Sequence, residues 1–413
     1  MINQHDIELM SPAGSFESLA AAIQGGADAV YVGIEKLNMR ARSSFNFTTD
    51  DLEQIVAICK QHNIKAYLTL NTVIYESELA EAKKIIDLAY QKGVSAVIAT
   101  DHAIINHAYQ TGMSVHISTQ TNISNSESVR FYAQYADVLV LARELTLDQI
   151  KSISQTIDKE NIKGPSGYPV KLELFVHGAL CMAISGKCYI SLHQYNYSAN
   201  RGACLQACRR GYTVTEKETG KELEIENEYI MSPKDICTIH FLNKILDSGI
   251  KILKIEGRAR SAEYVKTTTR CYREAIDAYK AGSFSKEKIN IWQKQLSTVF
   301  NRGFWDGYYL GQKIGEWSDV YGSKSVKRKE YTGKVNNYFT KIKVAEIIIE
   351  TGYIQEGEDI LIIGSTTGII EMQVKEIRVD RKKVKSAKKG DVCSIPVSTF
   401  LRRSDKVYKW IER

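Results

Sequence analysis

No apolar run in these 413 residues approaches the roughly 18 that a membrane span requires. The longest are strand-sized pieces such as VLVLA and EIIIE, so no membrane partner is expected. Low-complexity tracts and short-period repeats are missing as well. The opening MINQHDIELMSPAG lacks the charged segment and apolar core of a signal peptide, and a cytoplasmic location is expected. Thiols stay reduced there, so structural disulfides are not expected. No G-x-G-x-x-G follows the first strand-like run, which argues against a Rossmann fold. H-E-x-x-H, G-x-S-x-G and C-x-x-C are absent too, so zinc-peptidase, serine-hydrolase and dithiol-redox signatures find no support.

What is present is an ordinary globular balance, 44% hydrophobic and 25% charged, enough for one large domain and one small one. The formal net charge is +7, and it is unevenly spread. From Lys324 to Arg413 there are 20 Lys and Arg against 12 Asp and Glu, while the rest of the chain holds 35 against 36. The basic tail, with clusters at Lys327-Arg328-Lys329 and Arg381-Lys382-Lys383, reads either as a solubilising surface or as a polyanion contact.

Eight strand-like runs precede residue 260, at Glu8–Ser11, Ala29–Val32, Ala66–Leu70, Ala96–Thr100, Ser114–Ile117, Val138–Leu141, Leu172–Val176 and Ile252–Ile255. Helical patterns alternate with them: Leu52, Ile55, Val56 and Cys59 recur at helical spacing after the start signal Thr48-x-x-Asp51. Eight alternating units predict an α/β fold, a (β/α)8 TIM-like barrel, followed by a small C-terminal antiparallel β-barrel domain. The expected boundaries are 1–322 for the barrel and 323–413 for the basic β domain. Within the first lie a cysteine-rich insertion at 178–237, a short helix near Lys234–Leu246 and a helical extension over 286–312.

Reactive groups of such a barrel sit just past the C-terminal ends of its strands. Those positions hold Arg40, Arg42, Asn71, Asp101, Ser118, Gln120, Arg143, Glu144, His177, Glu256 and Arg258. Glu173 shares strand parity with His177, and Lys254 with Glu256, so all four should point into the barrel mouth. A Glu173/Lys254 pair inside a barrel is costly unless matched, and reads as a polar pocket or as a structural ion pair. The arginines suit an anion, because a guanidinium grips a carboxylate or phosphate through two parallel hydrogen bonds. His177 and Glu256 are the candidate proton-transfer groups.

Five cysteines fall in the insertion, spaced C-x6-C-x15-C-x3-C for Cys181, Cys188, Cys204 and Cys208, with Cys237 after 28 more residues. Only one pair is as tight as a zinc knuckle, and iron–sulfur ligands need no such knuckles. A cluster, a zinc site and unliganded thiols all stay open on spacing alone. Cys59 on an apolar helical face, Cys271 on the eighth helix and Cys393 in a C-terminal strand read as small buried hydrophobes.

The runs ELFVHGALCMAISGKC and SANRGACLQACRR resemble the signature of the collagenase-like peptidase family, peptidase family U32. ELMSPAGSFESLAAAIQGGADAVYVG, NMRARSSFNFT and NRGFWDGYYLG are similar to it too, so the likeness covers nearly the whole chain. One departure is YNYSANRG, where many relatives carry an Arg-Asp pair before the Asn. A barrel with an appended β domain resembles the RNA-modifying branch of that family. The resemblance implies prephenate-dependent hydroxylation of tRNA wobble uridine at carbon 5, without molecular oxygen. It also implies a 4Fe-4S cluster on Cys181, Cys188, Cys204 and Cys237, with Cys208 as the alternative ligand.

In that picture Arg40, Arg42, Asn71, Gln120, Arg143, Glu173, Lys254 and Arg258 bind prephenate, a small dicarboxylate co-substrate, and an unidentified electron donor serves the cluster. The basic C-terminal domain holds tRNA, with Tyr338, Phe339 and Tyr353 available to stack on bases. Two rivals are a collagenase-like peptidase and a zinc-stabilised, non-catalytic RNA-binding protein.

Overall fold

The computed structural model describes residues 7–41, 46–213, 215–220, 229–311, 316–320 and 322–413. Eight parallel strands build the first body: β1 (Glu8–Pro12), β2 (Ala29–Gly33), β3 (Lys65–Leu70), β4 (Ala96–Ala99), β5 (Val115–Ile117), β6 (Val138–Val140), β7 (Lys171–Gly178) and, beyond a short β8 (Asp235–Cys237), β9 (Ile252–Ile255). Each pairs with the next, and β9 pairs with both β7 and β1, so the sheet closes into the expected barrel. Strands covered on both faces carry continuous apolar runs rather than alternation, as in the wholly buried Ala29–Gly33.

The helices are α1 (Phe16–Gln24), α2 (Asp51–Gln61), α3 (Leu79–Lys92), α4 (His102–Thr111), α5 (Ser126–Ala133), α6 (Leu147–Glu160), α7 (Ile190–Tyr195), α8 (Leu242–Asp247), α9 (Ala262–Lys280) and α10 (Lys286–Ser297). Local chemistry starts them where expected: the Thr48 N–H donates to the Asp51 carboxylate at 2.8 Å just before α2. Among the described residues no helix is long and apolar enough to cross a membrane.

Two expected helices are shorter than read from the sequence. The stretch 286–312 is helical only through Ser297, and β10 (Phe304–Trp305) follows. The helix ends where the Ser297 and Thr298 hydroxyls donate to the Lys294 and Gln295 carbonyls (2.8 and 2.7 Å), and Asn301 then holds a turn by donating to the Val299 carbonyl (3.0 Å) and accepting from the Gly303 N–H (3.1 Å). Such local bonds compete with helical ones. The helix expected from Lys234 starts only at Leu242, since Asp235–Cys237 pairs with β10 on one side and with the end of β7 on the other.

After the barrel comes a second, antiparallel body. Its strands are β11 (Lys327–Phe339), β12 (Val344–Ile349), β13 (Tyr353–Gln355), β14 (Asp359–Gly364), β15 (Gly368–Gln373), β16 (Ile377–Val379), β17 (Lys382–Val384), β18 (Ser386–Lys388), β19 (Val392–Pro396) and β20 (Lys406–Glu412). Eight of them form one sheet in the order β15-β14-β20-β11-β12-β19-β16-β17, and β13 pairs with β18. Val335, Ile347, Ile362, Ile395 and Val407 are among its own core. Leu361, Ile363 and Ile369 instead join the barrel's core, facing α1 and α9. Gln24 at the end of α1 bonds Thr367 and Ile369 at 2.9 Å each, and Lys329 bonds Glu263 on α9 at 2.8 Å.

Candidate functional site

The cysteine-rich insertion leaves the barrel at Gly178, whose φ is +108°. A Cβ there would lie 2.5 Å from the Glu256 carbonyl oxygen, so only glycine lets β7 run this close to the end of β9. The strap then crosses the barrel mouth. Gly202, with φ +75°, sits against Asn38, where a Cβ would meet its carbonyl oxygen at 2.3 Å.

Two arginines fasten the strap. Arg209 donates to Leu180 O (2.7 Å) at its entrance and to Ser232 Oγ (3.0 Å) and Pro233 O at its exit. Arg201 grips Glu78 through both terminal nitrogens, donates to Val73 O at 2.6 Å, and lies 3.9 Å over the Tyr75 ring. The middle of the strap is thereby tied to the loop after β3.

Between strap and barrel mouth lies a cleft of about 220 Å³. Cys181, Cys188, Cys204 and Cys208 all line it. Seven cationic side chains line it too, against the single carboxylate of Glu256, so the cleft is built for anions. Arg40 bonds Glu256 at 2.6 Å. Arg258 donates to Thr69 Oγ1 (2.7 Å) and Asn38 Oδ1 (2.5 Å). Arg143 lies 4.0 Å over the Phe175 ring, and its buried Nε has no hydrogen-bond partner. Lys254 Nζ, at the floor, is 2.7 Å from the fully buried Glu173 carboxylate.

Electrostatics fix these charges. Burial alone would raise the Glu256 carboxyl, but Arg40, Arg260 and Arg143 hold it down at about 2. Burial lowers Arg258 to about 10, which leaves it charged at neutral pH. Glu173 is also held below the usual carboxylate range: its burial opposes this, and Lys254 and His116 outweigh burial. Burial pushes the Cys208 thiol up to about 11, and Cys181, Cys204 and Cys188 add to that rise while Arg209 opposes it. Cys181 reaches solvent at the rim, yet the surrounding protein raises its thiol, with Cys204 and Cys188 reinforcing the shift. The four thiols therefore feel one another. Among the described residues no three His, Cys, Asp or Glu side chains stand close enough together to hold one metal ion. The thiols border a shared space rather than a single point.

Arg40, Asn71, Gln120, Arg143, Lys254, Glu256 and Arg258 meet at this cleft, joined by Ser118. Glu173 lies beneath it as the partner of Lys254. Arg42 lies outside the described residues. Asp101 is a structural cap, accepting from the backbone N–H groups of Ala103 and Ile74 at 2.9 Å each. Glu144 is solvent-exposed and off the cleft wall.

His177 does not point into the mouth. The pairing of β7 with β9 slips between Phe175 and His177, so His177 aligns with the outward-facing Ile255 rather than with an inward position. Its ring packs among Tyr264, Tyr272 and Phe304, 5.5–5.9 Å between centroids, and burial lowers its pKa to about 3. Cys237 lies behind the same wall, opposite His177 on β8, buried and away from the cleft. Cys208, the alternative in the expected set, lines the cleft and Cys237 does not. Tyr31, Thr69, Arg209, Arg260 and Arg302 also line the cleft and were not anticipated. Arg260 had a signal, since it repeats the two-residue spacing of Glu256 and Arg258 on the same outgoing segment.

Comparison with known proteins places this architecture. The model of peptidase family U32 matches residues 14–319. A collagenase of Porphyromonas gingivalis (strain ATCC BAA-308 / W83) is 56% identical over 412 residues, covering all of both chains. The tRNA hydroxylation protein P1 of Bacillus subtilis is 29% identical over 365 residues, 86% of this chain and 83% of its own. The 23S rRNA 5-hydroxycytidine C2501 synthase of Escherichia coli is 35% identical over 322 residues, 76% of this chain and 47% of its own. A family match over residues 14–319, from just past β1 through the strap, and a 56% identical relative covered over its full length establish that the chain belongs to peptidase family U32.

Proposed function

We propose that this protein is an RNA-modifying enzyme that hydroxylates carbon 5 of a tRNA wobble uridine, with prephenate as co-substrate and a 4Fe-4S cluster held by Cys181, Cys188, Cys204 and Cys208. The observation that carries the reading is the shared cleft: four thiols on one wall, an excess of guanidinium groups on the others. Relatives named for tRNA and rRNA hydroxylation support the reaction class.

The donor set fits the cluster. Four cysteines of one irregular segment border the same cleft, burial raises the thiols of Cys181 and Cys208, and the repulsion among the four once ionised is what a cationic iron core would relieve. When bound, the cluster supplies one-electron transfer at the barrel mouth. The chain's own residues do the rest. Arg143 offers a buried N–H that lacks an acceptor, and Arg40 and Arg258 stand near it, so a dicarboxylate finds two or more guanidinium partners. Lys254 supplies a point charge at the floor, kept in place by Glu173. Glu256, ionised and clamped by Arg40, orients that arginine rather than carrying a proton at neutral pH. The strap covers the cleft and limits access of water.

Nucleoside mass spectrometry of tRNA from a strain lacking this protein, and any paralogue, tests the proposal. Loss of 5-hydroxyuridine-derived nucleosides is expected, and their persistence removes the reading. A peptidase is favoured by the name of the 56% identical relative. No histidine lines the cleft among the described residues, so a Ser–His or Cys–His pair is not assembled there. Gelatin cleavage by purified protein, abolished by one cleft substitution, would decide for that rival.

A further inference from the structure

The basic second body has two ends, and only one shares the level of the cleft. Helix α9 begins at the cleft rim, immediately after Arg260. Lys329, near the start of β11, bonds Glu263 in the first turn of α9 at 2.8 Å. The Tyr331 and Tyr408 rings meet beside it, 5.5 Å apart. The β14–β15 turn contacts Gln24, at the opposite end of α1. So β11 starts at the mouth and runs away from it, with Phe339 roughly 30 Å further on at 3.3 Å per residue.

Each end has its own chemistry. At the mouth end, the β18–β19 turn lies level with the start of β11, since Lys389 N–H donates to Gly352 O and the next residue, Tyr353, sits under Lys409, which pairs with Glu330. That turn holds Lys388 and Lys389, and the neighbouring β16–β17 hairpin holds Arg381 and Lys382, all four exposed. Among the described residues none of the four is in an ion pair, whereas the nearby Glu350, Glu356 and Glu358 are taken by Lys334, Lys383 and Lys409. Tyr353 pairs across the strands with Lys388. It is 47% exposed, and Lys409 lies 3.6 Å over its ring. One face is thus held by a cation, and about half of the residue is open to solvent. At the far end stand Phe339, Phe400, Arg402 and Arg403, with Tyr338 packed against Phe400.

We infer that the mouth-side end is an RNA contact surface: Arg381, Lys382, Lys388 and Lys389 take backbone phosphates, and Tyr353 stacks on an unpaired base of the RNA whose target nucleotide enters the cleft. Free cations beside a half-open aromatic ring are the recurrent pattern for single-stranded nucleic acid. Position selects this end over the other, because a strand crossing it continues toward the mouth. The inference rests on the proposed RNA substrate but not on the chemistry performed.

Binding of the full-length protein to a tRNA anticodon stem-loop, followed by fluorescence anisotropy over a range of KCl, tests it. Lys388→Glu with Lys389→Glu should weaken binding at least tenfold and flatten the log–log salt slope by roughly 1.4, about 0.7 per lost contact. Tyr353→Ala should weaken binding about tenfold with the slope unchanged. Arg402→Glu with Arg403→Glu, at the far end, should stay within threefold of wild type, and unchanged circular dichroism confirms folding. Equal losses at both ends, a larger loss at the far end, or no RNA binding by wild type would each overturn the surface. Salt-dependent binding lost only at the mouth end, in a protein that leaves no hydroxylated nucleoside in cells, would uphold the surface and sink the hydroxylase reading.

Discussion

His177 shows how far one peptide step can move a side chain. A slip in pairing turned it from the cleft into an aromatic nest, where burial lowers its pKa to about 3. Its folded pKa is below the unfolded value of about 6.5, so the unfolded chain binds the extra proton between those limits. This contribution to stability is full above pH 6.5 and is lost as pH falls through the window, at about 1.4 kcal/mol per pH unit. The thermal midpoint should fall between pH 7 and 5, and His177→Phe, which keeps a ring among Tyr264, Tyr272 and Phe304, should flatten that fall. An unchanged pH profile in the variant would refute the assignment. The cysteines give a second test at this scale. Single Cys→Ser changes at 181, 188, 204 or 208 should abolish most of the iron and acid-labile sulfide in anaerobically purified protein. Cys237→Ser should keep it, because that thiol lies behind the barrel wall.

Regular elements were legible and irregular ones were not. The eight barrel strands stood out because each is a short apolar run bounded by polar or glycine positions, and all eight formed within a residue or two of expectation. β8 and β10 were hidden, being three and two residues long and defined by pairing rather than by pattern. Rim arginines such as Arg40, Arg143 and Arg258 could be placed because strand ends fix them. Spacing could not separate Cys208 from Cys237, since it does not report which side of a sheet a thiol occupies. Arg209 was invisible for the same reason, although it joins entrance and exit of the strap. Arg209→Met removes these bonds, and hydrogen bonds to charged groups contribute about 1.5–3 kcal/mol each. Faster limited proteolysis between residues 181 and 232 is expected, with reduced iron retention. A strap as resistant as wild type would show that the bonds are dispensable.

At the scale of the molecule, the two bodies share apolar contacts. Leu361, Ile363 and Ile369 belong to the barrel's core although the second body supplies them. Calorimetry should therefore show one unfolding transition. Ile369→Ala should lower it as a unit, by about 2–5 kcal/mol for a buried isoleucine. Two resolved transitions, with only the later-sequence body affected, would show that the halves fold independently.

The grip of Arg201 on Glu78 reaches beyond catalysis. The cysteine-rich strap is moored to the barrel by side-chain bonds of the chain itself, halfway along its length. If the proposed cluster is held there, its oxidative loss would leave an empty socket and not a frayed loop. On that proposal, repair after an encounter with oxygen would call for metal delivery without refolding.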